Sequence, residues 1–254
     1  MTRSGRLGGV VIEFFGMPGV GKTTLARGIA ADLSQHGHNA TFLAMDAPVD
    51  LNRYIKLARQ VGDIGRYVAA RPQEIFRAVR VLRYFPQPNA LTYTKVMRYW
   101  LLTCAIIDRS RSGADIVLCD QGLYQGLYSL ALLTSTPDRE VFSTALHLLP
   151  RPDLAILVTA DRETVRARLS GRRYNHRWID KLLLNDRRRL EESEEIVQAI
   201  AAALRATDCS LIVYASTASV AADTQELAAA VRSHLEATVG TGGAPAWGNG
   251  SRLV

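Results

Sequence analysis

Residues 10–27 read VVIEFFGMPGVGKTTLAR, and the rest of the chain is interpreted around this stretch. Five of its first six residues are apolar, which predicts a buried strand. The next segment, GMPGVGKT at residues 16–23, has two glycines separated by four residues and then a lysine and a threonine, the spacing of a phosphate-binding loop. Good helix formers follow, so strand, loop and helix stand in the order that this motif requires.

The residue types of this loop suit the phosphate groups of a nucleotide. Its glycines let the backbone approach a ligand closely, and the amides that open the following helix favour an anion. Lys22 can reach the β- and γ-phosphates, and the hydroxyl of Thr23 can ligate Mg²⁺. The predicted nucleotide-binding residues of the loop are Gly16, Met17, Pro18, Gly19, Val20, Gly21, Lys22, Thr23 and Thr24.

Composition predicts one domain of the α/β class. The chain has 254 residues, 48% of them hydrophobic and 22% charged, which suits a single core with a helical insert. We expect this domain to span residues 1–237, with a final helix over 224–235. The Gly-rich residues 238–254 are expected to be a disordered tail.

Charge and cysteine content indicate which class of binding partner and which cellular compartment to expect. The net charge of +7 suits phosphorylated small molecules, whereas a nucleic-acid surface would need interleaved aromatic residues and broader basic coverage. The three cysteines are odd in number and widely spaced, which indicates neither a disulfide framework nor a zinc site and favours a cytoplasmic location. The chain has no apolar run of about 18 residues, so no membrane span is expected.

Two carboxylates follow predicted strands. Residues 115–120, DIVLCD, predict a strand that ends in Asp120, and this carboxylate can hold Mg²⁺ through water beside the phosphate-binding loop. Asp46 follows a predicted strand over 39–45, at the sheet edge where ligands bind in parallel α/β folds. We expect either Asp46 or Asp120 to orient the acceptor of a phosphoryl group. A helix is expected after Asp120, over 127–133.

An arginine-rich segment at residues 168–180 predicts a lid. Guanidinium groups on a Gly-containing loop can close over a transferring phosphate and exclude water. The alternative is a solvated helix face, which we favour for Arg187, Arg188 and Arg189. The predicted lid residues are Arg168, Arg172 and Arg173.

In order of elements, residues 10–235 resemble the thymidylate-kinase and deoxynucleoside-kinase group of P-loop kinases. The resemblance rests on five segments: GMPGVGKTT, VLCDQG, RPDLAILVTADRETVRARL, the arginine-rich lid and SLIVYAS. It implies a three-layer sandwich with a five-stranded parallel sheet, Mg·ATP as the phosphoryl donor, and Ala215 and Ser216 beside the adenine. It also implies that the predominantly helical region 51–111 forms the acceptor pocket, with Arg53, Tyr93 and Arg98 as candidate contacts.

The chain departs from this group at the acceptor side. Members carry Asp-Arg after the third strand, where this chain has Asp120 and Gln121, and we expect Gln121 to contact the acceptor instead. Members often place a Glu before Pro-Val after the second strand, where this chain has Ala47, with Asp46 one residue earlier. These changes leave the acceptor open: a nucleoside, a nucleotide or another metabolite.

Two functions follow from these patterns. The first is an ATP-dependent phosphotransferase for a small acceptor that bears a hydroxyl or a phosphate. The alternative is a nucleotide-binding accessory ATPase that acts through a protein partner. Helical surfaces of this kind are compatible with a homodimer, and the sequence leaves the oligomeric state open.

Overall fold

The structure is a computed structural model, and it describes residues 9–43, 53–111, 116–134, 139–171, 187–217 and 219–240. The described strands form one parallel sheet in the order β2-β3-β1-β4-β5. Their bounds are β1 Val10–Phe15, β2 Ala40–Leu43, β3 Ile116–Cys119, β4 Leu154–Thr159 and β5 Leu211–Ala215. This sheet confirms the predicted five-stranded α/β architecture.

Helices connect the strands. Those of the described residues are α1 Lys22–Gln35, α2 Arg53–Ala70, α3 Gln73–Arg83, α4 Ala90–Arg111, α5 Leu123–Thr134, α6 Arg139–Leu148, α7 Arg162–Ser170, α8 Arg187–Arg205 and α9 Val220–Gly240. Helix α1 packs against α9, while α5 and α6 pack against α8. The described residues between β2 and β3, 53–111, are helical as predicted, with breaks at Pro72 and at Pro86–Pro88. Among the described residues, no helix is both long and apolar enough to cross a membrane.

Strand β1 lies in the middle of the sheet and is buried on both faces. It pairs with β3 on one side and with β4 on the other. All six of its residues are buried, although alternate side chains of a strand point to opposite faces. Helices must therefore cover both faces of the sheet, which is the three-layer arrangement expected from the sequence.

Two helices are longer than predicted. Helix α5 starts at Leu123 rather than at residue 127, because the carboxylate of Glu13 on β1 accepts hydrogen bonds from the first amides of the helix. Helix α9 extends from Val220 to Gly240, so its last residues fall within the range predicted as tail. Residues 241–254 of that range lie outside the described residues.

The parallel arrangement brings the carboxyl ends of all five strands to one edge of the sheet. The phosphate-binding loop follows β1, Asp120 follows β3 and Ser216 follows β5. In parallel α/β sheets, ligands bind at this edge.

We expect the packing between the helical insert and α6 to contribute strongly to stability. Phe85, just after α3, stacks on Phe142 of α6 with ring centroids 6.3 Å apart, and both side chains are fully buried. Phe85→Ala should lower the free energy of unfolding by about 3–5 kcal/mol, because it removes a buried ring and leaves a cavity. Urea denaturation measures this change.

Phe76→Ala on α3 provides the matched control. Its side chain is 70% exposed, so its loss should change the unfolding free energy by no more than about 0.5 kcal/mol. Equal effects of the two substitutions would contradict the described packing.

Candidate functional site

The loop between β1 and α1 has the shape of an anion cradle. Gly21 precedes α1 with a φ of 103°, a left-handed conformation that favours glycine. A Cβ at Gly16 would lie 2.3 Å from the carbonyl oxygen of Val158 on β4, so only glycine fits against the neighbouring strand. The amide of Gly16 donates to Oε1 of Gln125 on α5 at 3.1 Å, which ties the loop to the helix that follows β3.

The ammonium group of Lys22 lies over this loop. Its Nζ donates to the carbonyl oxygens of Gly16 and Met17 at 2.9 and 2.8 Å. Backbone carbonyls are weaker partners for a cation than phosphate oxygens, because hydrogen bonds between two charged groups are the stronger ones. Lys22 is therefore placed to exchange these contacts for contacts with a phosphate group.

The two predicted metal ligands are in contact. The hydroxyl of Thr23, at the start of α1, donates to Oδ2 of Asp120 at the end of β3. Asp120 is buried except for 5% of its surface. A hydroxyl and a carboxylate are oxygen donors of the kind that Mg²⁺ prefers, and this ion typically uses one or two carboxylates together with phosphates of the substrate. The donor set therefore fits Mg²⁺ beside the loop.

Arg168 on α7 joins the phosphate-binding loop to the segment after β5. Its Nη1 donates to the carbonyl oxygen of Val20 at 3.0 Å and to Oγ of Ser216 at 3.1 Å, and its Nη2 donates to the carbonyl oxygen of Thr217 at 2.5 Å. The sequence predicted Arg168 in the lid and Ser216 beside the base. The structure places the two residues in direct contact.

A pocket opens at this junction. Its volume is about 210 Å³, and its lining residues are Gly19, Gly21, Thr24, Leu25, Arg168, Ser216, Val220 and Asp223. Four of them, Gly19, Gly21, Thr24 and Ser216, belong to the predicted nucleotide-binding set. Ala215, also in that set, is the exposed last residue of β5, next to the pocket-lining Ser216. The pocket thus adjoins the anion cradle on the side of β5.

Asp223 holds the segment that borders this pocket, and sequence reasoning missed it. Its carboxylate accepts hydrogen bonds from the amide and hydroxyl of Thr217 at 2.8 and 2.7 Å, and from the hydroxyl of Tyr214 at 3.1 Å. Burial is the largest single influence and raises the pKa of Asp223, but the hydrogen bonds from Thr217 and Tyr214 together outweigh it and lower the pKa. The available signal was an acidic residue in the first turn of α9.

The turn after β3 is held by a tyrosine of the helical insert. The hydroxyl of Tyr99 on α4 donates to the carbonyl oxygens of Gln121 and Gly122 at 2.8 and 3.2 Å. The neighbouring Arg98, which the sequence suggested for the acceptor, is exposed and donates to Oε1 of Gln60 on α2 at 3.0 Å. Adjacent helix positions point about 100° apart, so only one of these two can face the turn.

The other predicted acceptor and lid residues have different positions. Tyr93 on α4 is half-buried and packs against the hydrophobic core. Gln121 is half-buried in the turn beside Asp120. Arg53 begins α2, but its side chain lies outside the described part of the structure. Asp46, Arg172 and Arg173 also lie outside the described residues.

A second missed residue is Glu13, in the middle of β1. It has no exposed surface, and its two carboxylate oxygens accept hydrogen bonds from the amides of Leu123, Tyr124 and Gln125 at 3.1, 2.6 and 3.0 Å. Burial raises the pKa of Glu13 to about 7, against the opposing effect of these three hydrogen bonds. Its signal in the sequence was a single acidic residue inside an apolar strand.

The raised pKa of Glu13 predicts a pH dependence of stability. Between pH 4.5 and about 7 the unfolded chain has released this proton while the folded protein still holds it, so the unfolding free energy falls as the pH rises. We expect a fall of about 3 kcal/mol in wild type relative to Glu13→Gln across this range, with no further change from this group above it. Urea denaturation at a series of pH values measures it. A pH-independent difference between the two proteins would contradict it.

Comparisons with known proteins agree with this geometry. The sequence model of the family described as "ATPase family associated with various cellular activities (AAA)" matches residues 12–79, which include most of β1, the loop and α1. A search of curated proteins finds no match to this chain. Thymidylate kinase from Ehrlichia chaffeensis is a structural neighbour with a TM-score of 0.51 and 14% identity, over 89% of this chain and 100% of the other.

Deoxyadenosine kinase from M. mycoides, solved with bound dATP, has a TM-score of 0.49 and 14% identity, over 88% of this chain and 100% of the other. Because the sequence identity is low, the similarity to thymidylate kinase shows a shared fold only. The strand order, the loop after β1 and this similarity together show that the chain contains a P-loop and has the fold of thymidylate kinase.

Proposed function

We propose that the protein is an ATP-dependent phosphotransferase that moves the γ-phosphoryl group of Mg·ATP to a small acceptor bearing a hydroxyl or a phosphate. The observation that carries this proposal is the contact of Thr23 with Asp120 beside a loop that also presents Lys22. These groups stand at the carboxyl edge of the sheet, with Lys22 and Thr23 at the start of α1 and Asp120 at the end of β3. A P-loop, a threonine and a strand-end aspartate are the parts that position Mg²⁺ and phosphates in P-loop enzymes.

The loop and its lysine act on the phosphates. Backbone amides of residues 19–24 bind the phosphate oxygens, and Lys22 leaves the carbonyls of Gly16 and Met17 to contact the β- and γ-phosphates. Thr23 and Asp120 hold Mg²⁺, which when bound neutralises charge that develops on the phosphates. Catalysis by these residues consists of positioning and electrostatic stabilisation.

The base and sugar of ATP bind in the pocket next to Arg168. The pocket adjoins the anion cradle, and Asp223 fixes its border at residues 214–217. In the described arrangement, protein oxygens accept the hydrogen bonds of the Arg168 guanidinium. Arg168 therefore contributes by ordering two nucleotide-binding segments, and the neutralisation of the transferring phosphoryl group is assigned to Arg172 and Arg173.

The acceptor binds on the side of the helical insert, with Asp46 or Asp120 orienting its hydroxyl group. Gln121 is the proposed contact at the turn, because it is half-buried directly after Asp120. Arg53, Tyr93 and Arg98 remain proposed contacts from α2 and α4. The amide group of Gln121 can form hydrogen bonds with the phosphoryl acceptor, but it carries no positive charge.

The same neutral residue favours a second candidate function. An accessory ATPase would hydrolyse ATP slowly and act through a protein partner, and it would need no cation beside Asp120 to hold an acceptor. The two functions differ in what stimulates ADP release: a small compound for the phosphotransferase, a macromolecule for the accessory ATPase.

The first test replaces Lys22. Lys22→Ala should reduce ADP release from Mg·ATP by about 100-fold or more, because it removes a charged donor aimed at the transferring phosphoryl group. ADP release is measured across a panel of nucleosides, nucleoside monophosphates, sugars and hydroxylated antibiotics. Stimulation of wild type by one compound class identifies the acceptor.

The control for this substitution is Lys95→Ala, an exposed lysine on α4, which should retain wild-type turnover. Unchanged turnover in Lys22→Ala would contradict the proposed mechanism. Turnover in wild type that only a protein fraction stimulates would favour the accessory ATPase.

The second test separates nucleotide binding from chemistry at Arg168. Arg168→Ala should raise KM for ATP about tenfold, because two segments of the nucleotide site lose their shared charged donor. The turnover number should change much less, since Arg168 is already hydrogen-bonded to protein oxygens. Arg166→Ala, an exposed arginine on the same helix, is the matched control. A large loss of kcat with unchanged KM would instead give Arg168 a direct role in phosphoryl transfer.

A further inference from the structure

A carboxylate buried in the central strand contacts the helix that follows the metal ligand. Glu13 lies three residues before Gly16, where the phosphate-binding loop begins, and it pairs in register with Cys119, the residue before Asp120. A buried carboxylate is costly unless hydrogen bonds satisfy its oxygens. Here the three satisfying donors are amides of the first turn of α5, which would otherwise lack partners within the helix.

Glu13 replaces the capping residue that the helix lacks. Helix α5 follows Gly122, which has no side chain that could accept from the first amides. A Cβ at position 122 would lie 2.2 Å from Cδ of Glu13, so the carboxylate occupies the space of the missing side chain. The cap therefore comes from a strand 110 residues away in sequence, as the bond from Leu123 shows.

This arrangement fixes the short turn between the metal ligand and α5. Residues 120–122 have Asp120 at one end, in contact with Thr23, and the Glu13-bound helix at the other. The same helix turn carries Gln125, whose side chain accepts from the amide of Gly16 in the loop. A shift of the first turn of α5 would thus move Asp120, whereas the backbone of Gly16 also packs against Val158 of β4 and so keeps its place in the cradle.

We propose that Glu13 is a positioning residue for the metal side of the nucleotide site, which sets the location of Asp120 relative to Thr23 through the first turn of α5. The inference rests on the proposed function in one respect, that Asp120 and Thr23 hold Mg²⁺. Glu13 has no exposed surface to offer a ligand, so it acts through the turn. Residues next to metal ligands commonly change metal affinity by about 10- to 100-fold when replaced.

The test compares nucleotide binding with and without the metal. Metal-free ADP reports on the cradle amides and Lys22, whereas the gain in affinity on adding Mg²⁺ reports on Thr23 and Asp120. Glu13→Gln keeps the size of the side chain, but its amide nitrogen cannot accept from the amide of Leu123. Calorimetric titration with ADP, in EDTA and in excess Mg²⁺, gives both affinities without requiring an acceptor.

We expect Glu13→Gln to reduce the Mg²⁺-dependent gain in ADP affinity about tenfold or more, while the affinity for metal-free ADP stays within about twofold of wild type. Asp120→Asn is the positive control and should abolish most of the gain. Glu74→Gln on α3 is the matched negative control, because it replaces another buried glutamate that contacts Arg77 rather than the turn. Hydrogen exchange should show faster exchange at residues 123–125 in Glu13→Gln alone.

Glu13→Asp provides a second variant that keeps the charge and shortens the reach, and it should show the same selective loss. An unchanged Mg²⁺-dependent gain in a folded Glu13 variant, or an equal loss of both affinities, would overturn the positioning role. Failure of the proposed function has a different signature: wild type would show no acceptor-stimulated ADP release, or Asp120→Asn would leave the Mg²⁺ effect intact.

Discussion

Strand β1 is hydrogen-bonded on both edges and buried on both faces, and the site depends on this position. The pairing with β3 places the end of that strand, and so Asp120, beside the loop that leaves β1. The pairing with β4 brings Val158 so close to Gly16 that no side chain fits there. The conformation of the loop thus depends on β3 and β4, which lie far from it in the sequence, although its glycines are what permit that conformation.

Polar contacts of three residues connect this centre to the surrounding helices. Arg168 joins α7 to the loop and to the segment after β5, and Asp223 holds that segment from α9. Glu13 joins β1 to α5 on the side of β3. A hydrogen bond to a charged group is stronger than one between neutral groups, so these contacts define positions that apolar packing alone would leave less specific.

The donor side of the site is therefore more completely defined than the acceptor side. Lys22, Thr23 and Asp120 come together on elements whose register is fixed by the sheet. On the acceptor side, the described residues are a half-buried glutamine, the tyrosine that holds its backbone, and an arginine directed to α2.

The sequence by itself determined the local motif and the architecture. The order of strand, glycine-rich loop and helix in residues 10–27 is encoded within one short segment, and its spacing and residue types are enough to identify a P-loop. The resemblance to P-loop kinases then implied a parallel sheet, and a parallel sheet brings its carboxyl ends together. That is why the pairing of Thr23 with Asp120 could be anticipated although the two are 97 residues apart.

Only the tertiary structure decided which polar residues support the site. Arg98 and Tyr99 are neighbours in the sequence, and either could have been expected to contact the turn after β3. The orientation of α4 against the sheet places Tyr99 at that turn and directs Arg98 to α2. Glu13 looked like an exception in an apolar strand, and Gly122 like an ordinary turn residue. In the folded protein, the carboxylate of Glu13 occupies the space that a side chain at Gly122 would need. Contacts of this kind depend on how helices pack against a sheet, and no local pattern records them.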